Sequence, residues 1–157
     1  MNHTFRLIGI DHKQFAPLFD LDDEQLKAYD AQRHFATESP GYPCRISLED
    51  AREGEELLLL PYLHQPAHSP YRASGPIFVR RGVKQRKLPP GEMPSYVTSR
   101  LMSIRAYDAE HMIVAANVCE GSQAAQEITA QLRNDRVAYI HLHNAQRGCF
   151  SCQVIRT

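Results

Sequence analysis

No apolar run in the 157-residue chain approaches the length of a membrane span, which excludes a helical membrane protein. An excess of one charge is missing too. Eighteen Lys and Arg balance 18 Asp and Glu, so no global field draws the chain to nucleic acid or anionic membranes. Internal repeats and low-complexity segments are absent. The first ten residues carry Arg6 inside their only apolar stretch and do not resemble a signal peptide, so the expected location is cytoplasmic. There is no G-x-G-x-x-G, Walker loop, H-E-x-x-H or G-x-S-x-G. Readings based on nicotinamide, nucleoside triphosphate or a serine nucleophile therefore have no motif behind them. Cysteines are few, and in a reducing compartment Cys44, Cys119, Cys149 and Cys152 are expected as thiols or metal ligands, not disulfides.

What is present is an ordinary globular composition, 43% hydrophobic and 23% charged, which argues against disorder. Apolar patterning predicts strands at Phe5–Ile10, Glu56–Leu60 (bounded by Gly54 and Pro61), Ile77–Arg80, Ser99–Tyr107, Met112–Val118, Val137–His143 and Cys149–Ile155. Acidic residues before Leu26 and Tyr29 predict a helix over Asp22–Arg33. Ser122 caps a second helix on which Ala125, Ile128 and Leu132 share a face, ending at Asn134-Asp135. Met112–His143 fits a right-handed crossover if its two strands are parallel. The expected fold is a single α+β domain over residues 1–157, with a mixed or mostly antiparallel sheet and two main helices.

Chemistry concentrates in His141-Leu142-His143-Asn144-Ala145-Gln146-Arg147-Gly148-Cys149-Phe150-Ser151-Cys152, which reads as a closing hairpin. If His143 and Cys149 close it, Phe150 faces Leu142, Cys152 faces Ile140 and Val154 faces Ala138 on an apolar side. The polar side then pairs His141 with Ser151 and Tyr139 with Gln153. This register sorts nearly every residue by polarity. It separates Cys149 from Cys152, so their C-x-x-C spacing is a poor zinc pair, and Cys152 becomes a core thiol.

Three uses of the segment follow. In the first, Cys149 is a reactive thiol, His143 takes or shares its proton, His141 orients a substrate or partner, and Arg147 stabilises negative charge. In the second, His141 and His143, as alternate residues of one strand, hold zinc or iron together with Cys149 or another thiol. The third is a non-catalytic module that binds a small molecule or protein through Tyr71 and Arg72, in the loop Ser69–Pro76. Nucleic acid is not expected as a partner. The basic run Arg80, Arg81, Lys84, Arg86 and Lys87 lacks aromatics and reads as a solvated loop.

The blocks Gly41-Tyr42-Pro43-Cys44-Arg45, Ser69–Val79, His141–Ala145 and Gly148-Cys149 resemble those of a bacterial family catalogued as the domain of unknown function 1203 family. The resemblance runs over essentially the whole chain. It implies a bacterial single-domain protein and no particular activity.

Overall fold

The computed structural model of the protein describes residues 4–157. Strand β1, Phe5–Ile8, buries alternate residues Phe5 and Leu7. Helix α1, Asp23–Leu26, is a single turn closed by a reciprocal capping box. The Asp22 carboxylate accepts from Gln25 N–H at 2.8 Å, and the Gln25 amide oxygen accepts from Asp22 N–H at 2.9 Å. The longer helix expected over Asp22–Arg33 does not form. A short 3-10 turn follows, Asp30 adopts the left-handed region (φ 54°), and the chain leaves as strand β2, Gln32–Phe35. Sheet pairing outweighs local helical patterning there, because β2 finds a ladder on β5.

Strands β3 (Pro43–Cys44) and β4 (Glu49–Asp50) are short, whereas β5 (Glu56–Gln65) and β6 (Ala73–Arg80) make a long antiparallel pair. One-turn helix α2 (Ser95–Thr98) precedes β7 (Leu101–Tyr107) and β8 (Ile113–Glu120). Helix α3 (Ala124–Leu132), β9 (Tyr139–Asn144) and β10 (Phe150–Arg156) end the chain. The fold class is α+β, but among the described residues it has two five-stranded sheets and one α-helix longer than a single turn. The first sheet runs β1-β10-β9-β7-β8, antiparallel throughout. The second runs β2-β5-β6-β3-β4, antiparallel except where β3 joins β6. Because β7 is antiparallel to both β8 and β9, those two are parallel, and α3 makes the expected crossover between them. No helix among the described residues is long and apolar enough to cross a membrane.

Two cores result. Ile128 and Leu132 of α3 pack with Met102, Ile104, Ile140, Leu142, Cys152 and Val154 of the first sheet. Phe15, Phe19 and Leu26 pack with Leu58, Leu60, Ile77 and Val79 of the second. The basic run is solvated only in part: Arg81, Lys84 and Lys87 are exposed, but Arg80 ends β6 and is not. Arg80 is buried and bonds Glu55, Glu49 and Ser47, while Arg81 bonds Glu56 and Asp20. Removing a guanidinium from water requires such partners.

The sheets also meet where Gly9 leaves β1. Its N–H bonds the Arg86 carbonyl at 2.8 Å, and Ile10 N–H bonds the Arg45 carbonyl at 3.0 Å. A Cβ on Gly9 would lie 2.1 Å from the Ile46 carbonyl oxygen, so only glycine permits this approach. Gly9→Ala is expected to destabilise the protein by about 2–3 kcal/mol, because backbone, not a flexible side chain, must give way. A shift of the urea midpoint to lower concentration measures it, and an unchanged midpoint would contradict the close approach.

Candidate functional site

The closing hairpin carries a β-bulge. Phe150 pairs with His143, Cys152 with Leu142, Gln153 with His141 and Val154 with Ile140, leaving Ser151 as the extra residue. The expected pairings are therefore corrected, by one residue at His143, which faces Phe150 in place of Cys149, and by two at His141, which faces Gln153 in place of Ser151. Buried donors from elsewhere hold the bulge. Arg45 Nε donates to the Phe150 carbonyl at 2.8 Å, and the Tyr96 hydroxyl donates to the Ser151 carbonyl at 3.0 Å. Cys152 stays on the core side, where burial pushes its thiol up to about 12. Phe150 crosses to the imidazole side and joins the second core.

There it forms a platform. The ring of His64, from β5, stacks on Phe150 with centroids 5.4 Å apart and planes 4° apart. His141 and His143 meet the same ring edge-on at 5.1 and 5.8 Å. His64, His141 and His143 thus converge between the sheets, and one ring nitrogen from each lies within 4.8 Å of the other two. His141 and His143 are 3% and 1% exposed, whereas His64 is half-buried and leaves a way in from solvent. His143 Nδ1 is 2.9 Å from the Gly148 carbonyl. A carbonyl only accepts, so Nδ1 carries the proton and Nε2 keeps its lone pair. His143 Nε2, His141 Nδ1 and His64 Nδ1 are buried and have no hydrogen-bond partner among the described residues.

Burial pushes His141 down to about 3, helped by its two histidine neighbours and Arg105. Burial likewise pushes His143 down to about 4 despite the Gly148 bond, and lowers His64, on which Arg105 also acts. All three rings are neutral at pH 7. Arg105, directly across from His141 on β7, is half-buried and donates Nε to Ser103 Oγ at 3.1 Å. Tyr107 and Tyr139 stack on each other at 5.1 Å and border His141 at 5.0 and 5.3 Å. The Tyr139 hydroxyl is bonded by Gln65 Nε2 at 2.9 Å and lies 2.8 Å from His111 Nδ1.

Of the residues singled out from sequence, His141 and His143 come together. Cys149 and Arg147 do not join them. Neither nitrogen of His143 bonds the Cys149 thiol, whose contact is the Arg147 carbonyl at 4.0 Å. Cys149 and Arg147 instead line a separate cavity. Tyr71 is exposed and sits edge-on to Tyr107 at 6.1 Å, so it extends the aromatic border of the site. Arg72 is exposed and donates to the Pro66 carbonyl within its own loop. All four cysteines are free thiols.

His64 is not legible from apolar patterning because that patterning ends its strand before Pro61. Beyond Leu59, β5 has lost β2 as a neighbour, and proline is tolerated at such an edge. The available signal was alternation: Leu60, Tyr62 and His64 continue one face past the proline.

The chain belongs to the family described as protein of unknown function (DUF1203), which matches residues 41–156. No curated protein and no solved structure matches it.

The depressed imidazoles make stability pH-dependent. An unfolded histidine titrates near 6.5, so between that pH and about 3 to 4 the unfolded chain binds protons that the folded cluster refuses. Stability is therefore highest above the unfolded value and falls as pH drops through this window. The metal-free protein is expected to lose up to about 1.4 kcal/mol per pH unit for each such imidazole below about pH 6. Denaturant titrations with chelator between about pH 5 and pH 7 measure the slope, which His141→Gln should reduce. An unchanged slope in that variant would refute this origin.

Proposed function

We propose that this member of a family without an assigned activity is a metal-binding protein. It holds one divalent transition ion, zinc or iron, through His64, His141 and His143. One observation carries the reading: three neutral imidazoles from two sheets converge, each with a buried ring nitrogen that has no hydrogen-bond partner among the described residues. Imidazole nitrogen suits both ions. Protons compete poorly for these lone pairs at neutral pH, because burial already disfavours the protonated rings. The Gly148 carbonyl supplies the outer hydrogen bond that usually orients a metal-ligating histidine. His64 takes the position that sequence reasoning gave to Cys149.

Three neutral ligands leave the ion's charge uncompensated and at least one coordination position open, as catalytic sites do. Arg105 beside the cluster favours an anion at that position. These features support metal-assisted chemistry on a small anionic substrate, with Tyr107, Tyr139 and Tyr71 bordering it. A thiol-based reading would rest on Cys149 alone, since no imidazole bonds it.

Elemental analysis of protein purified without a histidine tag, after reconstitution with Zn(II) or Fe(II), tests the proposal. About one equivalent is expected, with His64→Ala and His143→Ala falling at least about tenfold in affinity and Cys149→Ala unchanged. Binding below about 0.1 equivalent after reconstitution, or binding lost in Cys149→Ala but kept in His64→Ala, would overturn it.

A further inference from the structure

A second cavity, separate from the histidines, has a volume of about 660 Å³, the size of a small-molecule pocket. The segments around Gly41–Arg45, Pro76–Phe78 and Asn144–Cys149 meet at its walls, and Leu59 and Leu101 add apolar surface. Three arginines reach it. Arg100 is already neutralised by a two-pronged ion pair with Asp50. Arg45 and Arg147 are not neutralised in this way. Arg45 is only 3% exposed, yet no carboxylate lies within ion-pairing distance of it among the described residues. Its Nε and Nη1 are spent on the Phe150 and Pro43 carbonyls, and Nη2 has no hydrogen-bond partner among the described residues. Elsewhere in this protein a buried arginine is matched, as Arg80 is by Glu49 and Glu55. The Arg147 guanidinium, on the hairpin loop, also has no partner among the described residues. The one acidic side chain on the walls is Glu38, which leaves the cavity with a surplus of positive charge.

We infer that this cavity binds a small organic anion, with a carboxylate or phosphate head held by Arg45 and Arg147 and an apolar body against Leu59, Ile77, Phe78 and Leu101. A buried guanidinium with no carboxylate beside it is costly, and an anionic ligand at its remaining Nη2 offsets that cost with charge-assisted hydrogen bonds. The apolar wall discriminates an organic anion from a bare one. Arg147 sits on an exposed turn, so it can close over the head group without disturbing either core. The site does not depend on metal binding at the three histidines, and the two readings stand or fall separately.

The test is a ¹H–¹⁵N NMR titration of the full chain with benzoate, phenyl phosphate, inorganic phosphate and neutral benzyl alcohol, following the Gly148 and Cys149 amides. Saturable shifts with benzoate or phenyl phosphate are expected, and which of them binds more tightly identifies the head group. Arg147→Ala should weaken binding about tenfold and Glu38→Gln should tighten it about twofold. Both positions are exposed, so these variants keep the fold where Arg45→Ala would loosen the hairpin. Benzyl alcohol binding as tightly as the anions would overturn the proposal. So would inorganic phosphate binding as tightly as phenyl phosphate, an affinity indifferent to Arg147→Ala, or no saturable shift up to about 20 mM of either aromatic anion.

Discussion

The structure turns on two hydrogen bonds to successive carbonyls of one strand. Arg45 holds Phe150 and Tyr96 holds Ser151, and between them they stabilise the extra residue in β10. Side chains alternate across a strand, so one inserted residue exchanges faces for everything on one side of it. Cys152 and Val154 remain with the α3 core, while Phe150 is delivered to the core of the other sheet. That aromatic ring is the common floor of His64, His141 and His143. Without the bulge, Ser151 and Cys149 would lie on the imidazole face in place of Phe150, and the imidazoles would have no platform.

The electrostatics of the molecule divide the same way. Around β4 to β6, cations and carboxylates are matched: Arg80 with Glu49 and Glu55, Arg81 and Arg33 with Glu56, Arg100 with Asp50. Between the sheets the matching stops. Three imidazoles stay neutral because burial raises the cost of protonating them, and Arg105 makes a further positive charge still less welcome. On the neighbouring wall, Arg45 is buried with only carbonyls for company. Lone pairs without donors favour a cation, and guanidiniums without carboxylates favour an anion. The two proposed sites are thus adjacent but chemically opposite, linked by the hairpin that contributes to both.

Much of this was legible in the chain. Strands β6 to β10 and helix α3 follow from apolar runs, alternation and helical spacing, although Ser122 lies in a 3-10 turn before α3 and does not cap it. His141 and His143 had to share a face, being alternate residues of one strand. The segment before β2 misled, since a favourable helix start at Asp22 says nothing about the sheet edge that captures Gln32–Phe35. One residue of the basic run misled for a related reason: Arg80 is buried only because Glu49, of β4, and Glu55, just before β5, come to it from elsewhere in the chain.

The sequence by itself determined the α+β class, the core placement of Cys152, and a pair of histidines presented side by side. These are properties of local period and polarity, and they survive any arrangement of the remaining chain. The tertiary structure alone decided the third histidine and the fate of the thiol. His64 reaches the pair across the gap between two sheets, a meeting that no spacing along the chain encodes. Cys149 was turned away by a bulge whose stabilising donors, Arg45 and Tyr96, lie far from the hairpin in sequence.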